Sequence, residues 1–457
     1  MERPVKLLVL LIVAILLVGS FPRTTIAAEQ CSICGKIEQA KKDLAGITIR
    51  HSNKTIAYHE ELVLFGTKVS VKDWSWKEIA LVVMHPVTQE TKIIKIRKTG
   101  IDFQSMDKGF AVSINPRLNG HVWNSFNTNY EIINSNDNTH WLVLANKYMP
   151  YKKSATVGGK EISTVIYTPF TDDLWASAYK EELLRAGDLY LRNTIKNAYA
   201  ELESKNILSK AIPGKKLSEV VSPELIYTLI LTEHIDPDEF SENEKKMAER
   251  VLIILGANTS SAFNLSTSSA SARGIAQFIK GTYENDVRKN YKTAGLSSYL
   301  TGTRDHKESL KAAILLCDIN LMKILAAFSS DAVSAIQPQM LAASYNGGVY
   351  RVIAAFTEFS GKWQEDNYER LREAKRKVTQ IETKIKETKA SKIVASEKKK
   401  QQGALARQLA TAKKVQNAVS YARLRAETRL YLVKFSKMYQ NKKILDNSTP
   451  SLSSLKP

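Results

Sequence analysis

The chain has 457 residues, room for two or three domains, since single cores seldom exceed about 250–300 residues. Apolar residues make up 44% and charged residues 25%, which excludes wholesale disorder, a collagen-like repeat and a polytopic membrane protein. Lys and Arg number 66 against 46 Asp and Glu, a formal +20 that favours a polyanionic partner: nucleic acid, an anionic membrane surface or an anionic cell-wall polymer.

The first element in chain order is an export signal. Arg3 and Lys6 precede an unbroken apolar run from Leu7 to Val18, and Ala27 and Ala28 supply small residues for cleavage. The run is shorter than the roughly 20 residues that span a bilayer. Residues 1–28 therefore read as a signal peptide, and the expected mature chain starts near Glu29, carries +18 and is exported to the periplasm or cell wall. Export removes nucleic acid from the list of polyanions. Cys31 and Cys34 stand just beyond the cut site in Cys-Ser-Ile-Cys. They form a small local disulfide, a redox pair or half of a metal site, and no second Cys pair or Cys/His set completes a zinc site. Cys317, among Leu315, Leu316 and Ile319, reads as an inert buried thiol.

From about 45 to 168 the pattern is that of strands. Residues 47–49, 62–65, 79–84 and 141–144 are short and rich in β-branched and aromatic residues, with turns at Asn119-Gly120 and at 134–137. A small sandwich or barrel is expected, with no catalytic motif. Trp74, Trp76 and Trp123 read as core or interface anchors, or as stacking platforms for a ligand. From Asp172 the spacing turns helical through Leu174, Tyr179, Leu183, Leu184 and Leu189 to about Ser204, and residues 211–216 break it. Farther on, Leu371, Ala374, Val378, Ile381 and Ile385 follow a 3,4 spacing that Leu405, Leu409, Ala412 and Val419 resume. That is a coiled-coil seam folded back as an antiparallel hairpin over 362–420. The segment holds sixteen Lys/Arg against seven Asp/Glu, a net +9. It is either a solvated face or the docking surface for something anionic, an envelope protein partner among the candidates.

Chemistry is concentrated between Ser222 and Tyr345. Ser222-Pro223-Glu224 is a helix start, followed by the apolar Leu225, Ile226, Leu229 and Ile230 and then by Glu233 and His234. A carboxyl at the end of an apolar helix is poorly hydrated, which raises its pKa and suits a general acid, unless it simply reaches solvent. Residues 268–278, Ser-Ser-Ala-Ser-Ala-Arg-Gly-Ile-Ala-Gln-Phe, let backbone approach a ligand and offer the Gln277 amide, or else start an ordinary small-residue helix. Residues 341–348 run through Tyr345 and Asn346 into Gly347-Gly348, a helix stop.

In this order the elements resemble the catalytic domain of lytic transglycosylases, a lysozyme-like fold that acts on bacterial cell walls. Glu233 stands at the family's glutamate and Ser268 at its serine. Gly274-Ile275-Ala276-Gln277 matches Gly-Leu-Met-Gln, and Tyr345-Asn346-Gly347-Gly348 matches the tyrosine-asparagine motif. Ser309 to Leu325 supplies the long helix between them, and Glu427-Thr428-Arg429-Leu430-Tyr431 resembles the closing helix with its cleft tyrosine. The likeness covers about 216–360 and 421–440. His234 replaces the family's second serine, Ser271 a glycine and Ala276 a methionine. The 44 positions from Glu233 to Gln277 exceed the family spacing and call for an extra helix, roughly Ser241 to Leu255, which brings in Glu239 and Glu249 as rival acids.

The resemblance implies cleavage of the MurNAc-GlcNAc β-1,4 bond with 1,6-anhydro-MurNAc formation. Glu233 would act as acid and then base, while Ser268, Gln277, Tyr345, Asn346 and Tyr431 hold the glycan; no metal or cofactor is implied. The alternatives are a hydrolytic muramidase with Asp236 or Asp238 as second carboxylate, and an inactive wall-binding or scaffold module. The expected fold class is α+β. Its parts are a β-rich domain (29–170), a helical connector (171–215), an all-α lysozyme-like domain (216–361, closed by 421–440), the inserted hairpin (362–420) and a polar tail (441–457).

Overall fold

The computed structural model describes residues 31–440, apart from 63–66, 100–101, 115–127, 151–155, 158–159, 162–163, 236–239, 242 and 269. The export signal, the polar tail, Asn119-Gly120 and Trp123 therefore lie outside the described residues, as do Asp236, Asp238 and Glu239. The chain is mixed α and β and divides into two compact units. The first is Met1–Asp188 with Leu252–Thr259, and the second is Leu189–Val251 with Ser260–Pro457.

The first unit opens with a helix not expected from the sequence, α1 (Ser32–Ala45), whose N-cap is Cys31. Cys31 and Cys34 are joined in a disulfide across its first turn. Ile33, Ile37, Ala40 and Leu44 are its buried stripe, the 3–4 spacing of an amphipathic helix. The ammonium of Lys147 donates to the last carbonyls of α1, Leu44 at 3.1 Å and Ala45 at 2.9 Å, and to that of Ile47 just beyond at 2.7 Å. A cation at a helix C-terminus satisfies orphan acceptors and opposes the negative end of the dipole.

Strands β1 (Thr55–Leu62) and β2 (Thr67–Trp74) form one hairpin. The main sheet follows from β3 (Trp76–Met84), β4 (Thr91–Thr99), β5 (Asp102–Ser105), β8 (Leu142–Tyr148) and β11 (Val165–Tyr167). It is antiparallel in the order β11-β8-β3-β4-β5. Between β5 and β8, β6 (Phe110–Ile114) pairs with β7 (Tyr130–Asn134), and between β8 and β11 the short β9 (Thr156–Val157) pairs with β10 (Lys160–Glu161). Among the described residues the main sheet is open, with β11 and β5 as its edges, and does not close into a barrel. Residues 79–84 lie in β3 and 142–144 in β8, both buried throughout. Residues 47–49 do not form a strand: Gly46 ends α1, and the next residues meet the start of β3 only in the single bridge His51–Lys77. Trp74 packs 4.8 Å from the His51 ring with Lys77 over it, and Trp76 lies under the Arg97 guanidinium at 4.8 Å.

Helix α2 (Lys180–Ser204) crosses from the first unit into the second. The second unit is helical: α3 (Pro223–Glu233), α4 (Glu244–Asn258) as far as Val251, α5 (His306–Ala327), α6 (Gln337–Gly347), α7 (Val349–Phe359), α8 (Tyr368–Ala390), α9 (Ala395–Ala422) and α10 (Ala426–Gln440). The N-terminal part of α4 fills the long interval after Glu233. In the centre, α5 is buried along most of its length, and its one internal carboxylate, Asp318, is satisfied by Ser209 Oγ at 2.5 Å, the Lys210 amide at 2.8 Å and the Tyr291 hydroxyl. Buried Lys311 is matched by Glu201 and Glu308. Paired this way, buried charge is tolerated in a core. Helices α8 and α9 form the expected antiparallel hairpin around Val378, Ile381 and Ala412, with Ile385, Leu405 and Leu409 packed beside them. Among the described residues no helix is long and apolar enough to cross a membrane.

Candidate active site

The acid helix α3 is apolar on all sides, and Leu225 to Thr232 are all buried; such a helix belongs to a core. Ser222 caps it by accepting from the Leu225 amide at 3.2 Å, and Pro223 occupies its first turn. Glu233 is its last residue and the first that regains some solvent contact.

Three contacts fix that end. His234 stacks on Phe263 at 3.7 Å, and its Nε2–H donates to the Ile275 carbonyl at 2.8 Å. Burial lowers the His234 pKa to about 3, so the ring is neutral. From α10, the Lys434 ammonium donates to the carbonyls of Ile235 at 2.6 Å and Thr232 at 3.3 Å. A helix that lacks a C-terminal glycine is capped here by a cation from a distant helix.

Around the carboxyl stand two tyrosines. Tyr345, on α6, donates its hydroxyl to the Ala276 carbonyl at 2.6 Å and meets Phe278 edge-on at 5.9 Å. Tyr431, on α10, is buried, and its hydroxyl closes no regular hydrogen bond among the described residues. It nevertheless lies near enough to Glu233 to favour the carboxylate, and Glu233 in turn acts on both phenols. Burial raises the Glu233 pKa to about 7. The Tyr431 hydroxyl and the Lys434 ammonium act downward, and the Glu427 carboxylate adds to the rise. A carboxyl largely surrounded by protein yet still touching solvent stays protonated near neutrality and can hand on its proton.

The segment before Gln277 is not the helix start that its composition allows. It turns irregularly, with Thr267 and Phe278 each bridging to Arg273, and Ser271, Gly274 and Gln277 have positive φ. Gly274 is required: at φ +73° a Cβ there would lie 1.9 Å from the Thr303 carbonyl oxygen. Gln277 donates to the Gly274 carbonyl at 2.8 Å and to Ser266 Oγ at 3.1 Å, and its neighbour Ala276 accepts from Tyr345. Gly347, at the end of α6, lies close against Thr428; a Cβ there would come within 2.6 Å of the Thr428 hydroxyl.

Glu233, Tyr345 and Tyr431 are thus brought together, with Gln277 one residue from the carbonyl that Tyr345 holds. Ser268 is exposed, and its hydroxyl accepts from the Ala272 amide at 3.1 Å, which makes it a turn-former. Asn346 is half-buried at the end of α6 and its side chain makes no hydrogen bond among the described residues. Of the rival acids, Glu249 is buried and ion-paired with Lys245 at 3.6 Å. Sequence reasoning missed Lys434 and Phe263. Lys434 had a signal, since it sits three residues after Tyr431 and so on the same helical face. Among the described residues no group of three His, Cys, Asp or Glu could hold a metal ion. No family model matches the chain, and neither a curated protein nor a solved structure matches it.

Proposed function

We propose that the chain is an exported lytic transglycosylase whose helical unit is lysozyme-like. The observation that carries this reading is the Glu233 carboxyl, raised to about 7 and flanked by Tyr345 and Tyr431, the residues the family motifs pick out. Protonated Glu233 donates to the glycosidic oxygen as the bond to C1 of N-acetylmuramic acid breaks and oxocarbenium character develops. The resulting carboxylate then takes the proton of the sugar's C6 hydroxyl while O6 bonds to C1, closing the 1,6-anhydro ring. The glycan supplies the nucleophile, so one carboxylate suffices. Gln277, Tyr345 and Tyr431 hold the glycan beside Glu233, and Ser268 and Asn346 contact it farther from the bond that breaks.

Hydrolysis is the second reading. The one described carboxylate whose charge reaches Glu233 is Glu427, exposed on α10, and it would have to direct water. Mass spectrometry of fragments released from purified peptidoglycan separates the readings. Anhydro ends that vanish with Glu233→Gln support the transglycosylase; reducing ends support hydrolysis. Wall binding without fragments would mean a module that binds only.

A further inference from the structure

The turn between α8 and α9 has a composition that the hairpin's own packing does not need. Ser391 ends α8, its hydroxyl donating to the Thr388 carbonyl at 2.7 Å, and Lys398 donates back to the Ser391 carbonyl at 3.0 Å. The turn is therefore ordered, yet Ile393 is 39% exposed and Val394 is 74% exposed. Two adjacent β-branched side chains are held out into water at the very tip of a hairpin whose seam runs elsewhere, through Val378, Ile381 and Ala412.

Seven lysines and two glutamates lie between 384 and 400. Lys384, Lys386, Lys389, Lys392, Lys399 and Lys400 are exposed and make no ion pair among the described residues. At the root Arg370 meets Glu358 and Glu373, Arg372 meets Glu369, and Arg423 meets Asp366, while Lys375, Arg376 and Lys377 are exposed without an ion pair among the described residues. Arg351 ties the root down through the Tyr421 and Arg423 carbonyls at 2.7 and 3.1 Å. The largest net excess, seven lysines against two glutamates, therefore lies at the free end, about 34 Å along α8 at 1.5 Å per residue.

We propose that this tip docks on an anionic lipid surface, with Ile393 and Val394 entering the interface and the lysines around them meeting lipid phosphates. Lysine stems lie along apolar surface while their ammonium groups stay hydrated, and each cation near such a surface adds attraction. Shallow insertion of a few aliphatic side chains within a basic ring is how peripheral segments bind bilayers. A glycan polymer would use aromatic platforms, and no aromatic residue lies between 384 and 400. A protein partner needs about 800 Å² of complementary surface, more than two aliphatic side chains supply.

The test uses the full chain with Val394→Cys carrying an environment-sensitive fluorophore; Cys317 is buried and Cys31 and Cys34 are disulfide-bonded, so the label goes to the tip. Vesicles of phosphatidylcholine with about a third phosphatidylglycerol should shift its emission to the blue, and pure phosphatidylcholine should not. In co-sedimentation, replacing Lys389, Lys392, Lys399 and Lys400 by Gln should weaken binding by on the order of a thousandfold, and Val394→Asp by about tenfold. The apolar run Leu7 to Val18 is common to all variants, so the differences report the tip. An unshifted label, or equal binding by Val394→Asp, overturns the proposal. So does capture of wall polymer or a protein that needs the lysines but not Val394. Cell-wall cleavage by the tip variants is read separately, so failure here leaves the enzymatic reading standing.

Discussion

Lys434 reaches across 199 positions of sequence to donate to the Ile235 carbonyl at 2.6 Å, so the helix that carries Tyr431 also caps the helix that carries Glu233. One cation does two things there. It holds the Thr232 carbonyl in the last turn of α3 and the Ile235 carbonyl just beyond it, and its charge holds the Glu233 pKa below the level that burial alone would set.

Lys434→Met should therefore have two effects. Losing Lys434 removes the donor to the buried Ile235 carbonyl and costs on the order of 1–3 kcal/mol, read from urea unfolding. Removing the positive charge raises the Glu233 pKa further, so the basic limb of the pH–rate profile moves to higher pH. A purely structural role would lower stability and leave that limb in place.

Glu233 also makes stability depend on pH. Its folded pKa, about 7, lies above the ordinary value of 4.5. The stability it contributes is complete below about 4.5 and is lost as pH rises through about 7. Glu233→Gln cannot ionise, so relative to the parent it should gain on the order of 1–3 kcal/mol at pH 8 and nothing at pH 4. Chemical unfolding at the two pH values checks this. Because burial holds His234 near 3, it does not titrate in this window, and activity should fall above about pH 7 as Glu233 loses its proton.

Tyr431→Phe separates catalysis from folding. The hydroxyl is buried without a regular hydrogen bond, so removing it should change stability by less than about 1 kcal/mol. The same hydroxyl favours the Glu233 carboxylate. The variant should cleave cell wall more slowly and show its basic limb at higher pH, with an unaltered thermal midpoint.

Gly274→Ala should be severe. The substitution combines a positive φ with a Cβ 1.9 Å from a backbone oxygen, and one of the two segments must move. A loss of more than about 2 kcal/mol is expected, measured by thermal unfolding, together with reduced activity as Gln277 shifts.

Much of the architecture was legible because it is local. Ser222-Pro223 before an unbroken apolar run predicts α3 and its end at Glu233, and the 3,4 spacing of Leu371 to Ile385 predicts α8 folded against α9. Those patterns report which faces must be buried, and neighbouring residues alone carry them. The turn around Gly274 was not legible, because Thr303 packs against that glycine where no Cβ fits, and Ser271 and Gln277 take positive φ that their residue types do not predict. Nor did alternation alone tell an open sheet from a closed one, since closure depends on which edges meet.

The sequence by itself determined the candidate acid, the order of the motifs around it and the excess of positive charge on the hairpin. Only the tertiary structure decided that Tyr345 and Tyr431 approach Glu233 while Ser268 turns a loop, that Lys434 and Phe263 set the end of α3, and that Ile393 and Val394 stand exposed among lysines. The physical reason is that a pKa and an exposure belong to surroundings assembled from distant residues, whereas a helix and its ends are written into consecutive ones.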